Sequence, residues 1–487
     1  MAFKQDKRNA VTLFPDSISN YVSLDDPVRV YDEFIELLDF SELGIKRDSN
    51  KRGTSSYDPK MLLKVLVYSY SYGWRSSRKI ERALSHNLSF IWLSGGQNPD
   101  HKTINRFRRI NKKALSKVLL KCARVCYDLK LVSGNTLFVD GSKFRANAGL
   151  NKSKTKQGWQ GYKEKIEQRI SKLLEEIDQV DDKESGSLVK LSEELSQKSK
   201  LSERISATLS KIEADKLGEK KGYGKKKVNP KINSTDLEAK VMKGRQGSHP
   251  SYNVQMTTDL DHGLILNMEA TKDPNDLNKL NSSVEQAEQV SHQEAKIVCA
   301  DSGYSSIEDI KKLTDTGRKV IVPNPRYDNE GEFHANKFTY DKNNDLYICP
   351  AGKRLDKKKI ENTENQVRYL PSDAKTCQGC QFFDKCTRSK KCRSIYRSNN
   401  EELKEQLQQE YESKKGQQIY KLRKEKVEYQ FGHLKKNLGL GQFLLRGIKG
   451  ANAEIGIAAT CFNLTRITNI AGGVQEILAM FKAYKTG

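Results

Sequence analysis

Two aspartates, Asp140 and Asp301, each stand just beyond a short apolar run, Thr136 to Val139 (TLFV) before the first and Lys296 to Ala300 (KIVCA) before the second. Such runs read as strands buried in a sheet. In open α/β sheets the ligand site lies at the carboxyl ends of the strands. The two side chains, 161 positions apart in sequence (301 − 140), can therefore meet in space. Close carboxylates repel, and a divalent cation relieves the repulsion. Oxygen ligands suit Mg2+ or Mn2+, which keep positions open for water and a substrate phosphate. Two such ions stabilise both the attacking and the leaving oxygen of an in-line displacement, which is phosphodiester chemistry. A third carboxylate is required, and Glu428 is the candidate. In KVEYQFGHLKK, Val427, Phe431 and Leu434 form a helical stripe, and Glu428 lies about 100° from Val427, at its edge. Lys435 falls on nearly the same face as Glu428, placed for a phosphate. Arg423, Arg446 and Lys449 are further phosphate candidates. A lone Asp-Gly after a strand is an ordinary turn; the order of elements gives the pair its meaning.

That order is legible. A β-hairpin is predicted over Ser251 to Thr257 and Leu264 to Ala270, around a turn at Asp259 to Gly263. An amphipathic helix over Asp276 to Ser291 leads to the strand before Asp301. A helix over Ser306 to Leu313 and a fifth strand at Val320 to Val322 follow. Right-handed crossover places the fourth strand beside the first, in parallel. This core is expected over residues 131–160 and 228–325. Residues 1–130 read as helical, with Asp58-Pro59 a good helix start. There Ile104, Phe107 and Ile110 share a face while Arg106, Arg108 and Arg109 fan outward. Such helices fit a helix-turn-helix-like DNA-binding module or an ordinary bundle with solvated basic faces.

Residues 161–227 interrupt the core. Ile166, Ile170, Leu173, Ile177 and Val180 form one seam, and Leu188, Leu191, Leu195, Leu201, Ile205, Leu209 and Ile212 another. This is a coiled coil or helical hairpin, closed either within one chain or between two. A basic linker, KKGYGKKK (Lys220 to Lys227), ends it. Trp159, just before, either packs or stacks on an unpaired base. Residues 326–400 read as polar and irregular. Residues 401–487 carry two helices, the first holding Glu428.

The 487 residues include 86 Lys and Arg against 62 Asp and Glu, a formal charge of +24. This excess points to a polyanion, and binding is expected to weaken steeply with salt. The start MAFKQDKRNAVTLF lacks a signal-peptide pattern, and no apolar run is long enough for a membrane helix. A cytoplasmic protein is expected, with no membrane partner. There the nine cysteines do not form stable disulfides. Cys349, Cys377, Cys380 and Cys386, with Cys392 a fifth, suit a tetrahedral structural Zn2+ or remain reduced thiols. Cys122, Cys126, Cys299 and Cys461 sit among apolar residues and read as core.

Four segments together, VDGSKFRANA, SYNVQMTTD, CADSGYSS and VEYQFGHLKKNLGLGQFLLRG, resemble the DDE transposases of bacterial insertion sequences. The likeness is greatest to the IS eleven-eighty-two group. YDPKMLLKVLVYSYSYGWRSSRKIERAL and NPDHKTINRFRR are similar to that group's opening helices, so the resemblance spans most of the chain. It implies an α/β ribonuclease-H-like core with a mixed five-stranded sheet. An all-α N-terminal domain, a coiled-coil insertion and a cysteine-bearing, zinc-like insertion accompany that core. It also implies Asp140, Asp301 and Glu428 as the triad for Mg2+ or Mn2+. Tyr420, Arg423, Glu428 and Lys435 resemble the group's tyrosine-arginine-glutamate-lysine signature. One departure exists: Lys424 to Val427 put four residues between Arg423 and Glu428, where three are usual, which loads doubt onto Arg423. The implied substrate is double-stranded DNA, as the element's terminal inverted repeats and as target, handled in the bacterial nucleoid by a homodimer. The competing expectations are a DNA-binding protein with a degenerate site and a ribonuclease-H-like nuclease that cuts without joining.

Overall fold

The computed structural model describes residues 17–46, 57–181, 188–214, 231–244, 247–323, 331–358 and 366–486. The basic linker expected over Lys220 to Lys227 lies outside them. The chain divides into two compact units, one of residues 1–133, 141–275 and 428–487, the other of 134–140 and 276–427. Strand β1 (Thr136–Arg145) contributes to both.

The first unit joins helices to antiparallel strands. These are β2 (Ser153–Lys154), β3 (Ile232–Asn233), β4 (Lys240–Gly244), β5 (Gly247–Asp259) and β6 (Ile265–Thr271), hydrogen-bonded in that order. The hairpin forms as expected, with Val254 facing Ala270 and Met256 facing Met268. The short β2, β3 and β4 were not expected, because two- to five-residue polar strands carry no apolar alternation. Behind the hairpin lies the helix Ile448–Ala471, buried along most of its length. It packs on the helix Lys112–Asp128 so closely that a Cβ at Gly456 would meet the Leu115 carbonyl oxygen at 2.4 Å. Two of its asparagines serve the β6 backbone. Asn463 accepts from the Ile265 N–H at 2.9 Å and donates to the Ile265 carbonyl at 2.8 Å, and Asn452 accepts from the Ala270 N–H at 2.7 Å.

In the same unit, the helices Lys156–Asp181 and Leu188–Ala214 pair antiparallel, as Arg169 with Glu194 and Lys156 with Glu213 show. Trp159, Ile166, Ile205 and Ile212 close the seam within one chain. Trp159 is 2% exposed, and its ring N–H donates to the Ile232 carbonyl at 2.9 Å, so packing replaces the base-stacking alternative.

The second unit begins with parallel pairing of β1, β7 (Ile297–Ala300) and β8 (Lys319–Ile321). It then corrects an expectation, since residues 326–400 are not irregular throughout. β9 (Thr339–Asp341), β10 (Leu346–Ile348), β11 (Arg354–Lys358), β12 (Gln366–Leu370) and β13 (Ile395–Ser398) form a five-stranded antiparallel sheet. Phe338, Tyr347, Leu355, Tyr369 and Ile395 are buried together, and the Arg397 guanidinium lies 3.7 Å from the Tyr340 ring centre. Few apolar residues suffice because most are aromatic and bury large areas each. Among the described residues, no helix is long and apolar enough to cross a membrane.

Candidate active site

Strand β1 supplies Thr136, Leu137, Phe138 and Val139, all buried, and β7 supplies Val298, Cys299 and Ala300, buried likewise. Apolar side chains on both faces are what a strand covered on both sides requires. In the parallel register, Val139 faces Ala300. Asp140 and Asp301 each follow by one residue, so the two acids stand side by side where the parallel ladder ends, at strand separation of about 5 Å. Asp301 lies just past β7, but Asp140 is inside β1, which runs on to Arg145 where the sequence suggested its end.

Beyond β7 the backbone turns sharply. The Asp301 carboxylate accepts the Gly303 N–H at 2.8 Å, and a 3-10 turn over Ser302–Tyr304 follows. Gly303 leaves a cradle: a Cβ there would stand 2.9 Å from Asp301 Oδ1 and 3.4 Å from Asp276 Oδ2. Asp276 is thus a third carboxylate at this place, and sequence reasoning missed it. It sits in a loop, where a single Asp carries no periodic signal. Tyr304 is buried beside all three acids, and burial first, then Asp276, Asp140 and Asp301, holds its hydroxyl well above its usual range. It stays protonated there.

Facing the acids is Arg423, 6% exposed. Its Nη2 donates to Asp140 Oδ1 at 3.1 Å, its Nη1 donates to the Tyr420 hydroxyl at 3.3 Å, and the guanidinium lies 5.3 Å from the Tyr420 ring centre. Burial pulls its pKa down, but Asp140 and Asp301 outweigh that and raise it. The extra residue after Arg423 has a structural answer. Lys424–Glu428 form a single π-helical turn, which takes up one residue more than an α turn. The insertion that put Arg423 in doubt is absorbed before the helix Tyr429–Lys436 begins.

Glu428 ends that turn, exposed, and falls in the first compact unit, while Asp140 and Asp301 belong to the second. Val427, Phe431 and Leu434 form the expected buried stripe. In the first unit Lys435 Nζ donates to Ser142 Oγ at 2.6 Å and lies 4.4 Å from the Phe144 ring centre. Arg446 and Lys449 are exposed, as are Arg106 and Arg109 on the helix His101–Ile110. Arg108 is not, which corrects the outward fan. It is 2% exposed, and Nε and Nη2 make no hydrogen bond among the described residues. It lies near Glu454, which is fully buried and paired with Arg75 at 2.9 Å. His433 meets Phe462 edge-on and is lowered in pKa by burial and then Arg466, so it stays neutral.

Cys349, Cys377, Cys380 and Cys386 line one cavity with Phe333, Phe338, Phe382 and Phe383. The Lys353 N–H points at Cys349 Sγ, 3.2 Å away. Burial raises the Cys377 and Cys386 thiols. Cys122, Cys126, Cys299 and Cys461 are buried, as expected of core thiols. Among the described residues, no three His, Cys, Asp or Glu side chains gather closely enough to hold an ion as they stand.

Two family models match the chain. A transposase DDE domain matches residues 348–468, and a transposase domain (DUF772) matches residues 16–109. The first takes in Arg423, Glu428 and Lys435, the second the helix with Arg106 and Arg109. No curated protein and no solved structure matches.

Proposed function

We propose, from the premise that this chain is a transposase and so a DNA-cleaving enzyme, that it belongs to an insertion sequence and cleaves and joins DNA at that element's terminal inverted repeats. The observation that carries the reading is the pair of acids, Asp140 and Asp301, side by side where the parallel ladder of β1 and β7 ends. The donor set is all oxygen, and the absence of a side chain at Gly303 lets the Asp301 and Asp276 carboxylates both approach that backbone closely. Both features suit Mg2+ or Mn2+. Glu428 is proposed as the third ligand. In support, Glu428 follows the buried Val427 and ends the π-helical turn Lys424–Glu428 that begins directly after Arg423 in the chain.

Divalent ions, when bound, neutralise the carboxylates and the developing charge on the phosphodiester. The chain's own residues do the rest. Asp140, Asp301 and Glu428 hold the charge that draws the ions. Tyr304 keeps its proton beside the acids. Lys435, Arg446, Lys449, Arg106 and Arg109 offer cations to DNA phosphates, with Arg423 beside the reacting one. Catalysis is positioning plus charge neutralisation. Water opens a phosphodiester at the element end and frees a 3′-hydroxyl. That hydroxyl attacks a target phosphodiester, forming a new P–O bond as the target's own P–O3′ bond breaks and its 3′-hydroxyl leaves.

The test uses purified full chain, Mg2+, a donor duplex with matched inverted ends, and a target plasmid. Strand-transfer product is expected. Nicks alone mean a nuclease, and shifted bands without products mean a binder. Pairing two ends calls for a homodimer, although the helical hairpin spends its seam on itself.

Structural Zn2+ at Cys349, Cys377, Cys380 and Cys386 is also proposed, from four thiols around one cavity. The thiols must close in to bind it. Because the neighbouring sheet has its own aromatic core, zinc here fastens a corner rather than creating a fold. Metal analysis of protein purified without chelator should find about one zinc per chain. A zinc-free, folded, active preparation ends the idea.

A further inference from the structure

We propose that Arg423 is the site's built-in counter-ion, a cation that holds Asp140 in the metal-free protein and competes with divalent ions for it. This rests on the metal reading above and adds a role for Arg423 that phosphate binding does not include.

The argument starts from charge. Asp140 and Asp301 stand side by side where the β1–β7 ladder ends, and Asp276 approaches the same glycine as Asp301. Ionised carboxylates so placed destabilise one another unless a cation is present. A protein must fold before it meets metal and DNA, so a resident cation is needed. Arg423 is the cation that the structure puts there. It is buried, its Nη2 reaches Asp140 Oδ1 at 3.1 Å, and Tyr420 holds the guanidinium through its hydroxyl and its ring. A surface lysine would sample many positions. This arginine is 6% exposed and is held by its hydrogen bonds to Asp140 and Tyr420.

The match is incomplete by design of its valence. One guanidinium carries a single positive charge, always present. It quiets Asp140 and leaves the cluster negative overall, so the site still attracts a divalent ion. That ion binds Asp140 against the repulsion of a fixed positive charge 3.1 Å from one of its oxygens. Arg423 therefore lowers metal affinity while it steadies the metal-free fold.

The consequence is a paired change of opposite sign. Mn2+ is titrated calorimetrically into the full chain without DNA. Arg423→Ala should bind Mn2+ about tenfold more tightly than wild type and melt at lower temperature when metal-free. Added Mn2+ should restore much of that loss. Arg423→Gln, similar in length but neutral, should behave alike and stands in if the alanine variant does not fold. Arg423→Lys should stay near wild type, and Asp301→Ala should lose Mn2+ binding. A folded Arg423→Ala or Arg423→Gln protein whose Mn2+ affinity is unchanged or weaker overturns the proposal and leaves the metal reading standing. Failure of wild type and Arg423 variants alike to bind Mn2+ defeats both.

Discussion

Asp301→Ala is expected to lose DNA strand cleavage by at least about 1000-fold, roughly 4 kcal/mol of barrier, while still binding inverted-repeat DNA. The size follows from position. Asp301 leaves β7 beside Asp140 and has its carboxylate fixed by the Gly303 N–H at 2.8 Å. Removing it leaves Asp140 and Asp276 without the neighbour between whose oxygens an ion would be shared. The basic surface is untouched, so affinity for DNA and its salt dependence should hold. Cleavage on a labelled donor and gel shifts on the same duplex measure the two properties separately. Asp301→Asn sharpens the result, since it keeps the shape and loses the charge. Cleavage by Asp301→Ala at wild-type rate would falsify the assignment of the acids.

The largest expected effect on stability lies elsewhere, at Glu454. This carboxylate is fully buried on the helix Ile448–Ala471. One oxygen takes Arg75 at 2.9 Å, and the other accepts the Leu444 and Leu445 N–H groups at 2.7 and 2.6 Å. Burial pushes its pKa up, and Arg75, the two N–H groups and Arg108 pull against that. Glu454→Ala strands the Arg75 guanidinium and two backbone donors, and removes a negative charge near the buried Arg108. Breaking a buried pair from one side costs about 3–5 kcal/mol, a large share of a typical domain's stability. The variant should melt many degrees below wild type or fail to accumulate. Glu454→Gln, which still accepts hydrogen bonds, should lose less. A thermal scan of the three proteins decides it, and an alanine variant that melts with wild type refutes the account.

The β1–β7 pair was legible because β7 and the first residues of β1 are short apolar runs followed by an acid, although β1 runs on past Asp140 to Arg145. Asp140 and Asp301 could be placed from burial alone. The hairpin, too, announced itself through alternation around a polar turn. Arg108 could not be read that way. Three arginines in four positions look like a solvated face, and only the pairing of helices far apart in sequence shows that one of them turns inward toward Glu454. Asp276 stood as the first residue of an expected helix, but that helix begins at Leu280 and leaves Asp276 in the loop before it. The sheet after β8 escaped because its strands are three to five residues long and its core is built from scattered tyrosines. The π-helical turn was visible only as one residue too many. That surplus looked like damage to a motif, and the backbone had taken it up locally.

The two asparagines on the C-terminal helix carry one more implication. Strand β6 would otherwise present backbone groups able to recruit a stray strand, the usual route to clumping between copies. Asn452 and Asn463 plug those groups at both ends of the strand. A polypeptide cut short before Ile448 would thus be more than an inactive fragment. It would be adhesive, with a raw flank ready to zip onto its siblings, and should be found in inclusion bodies.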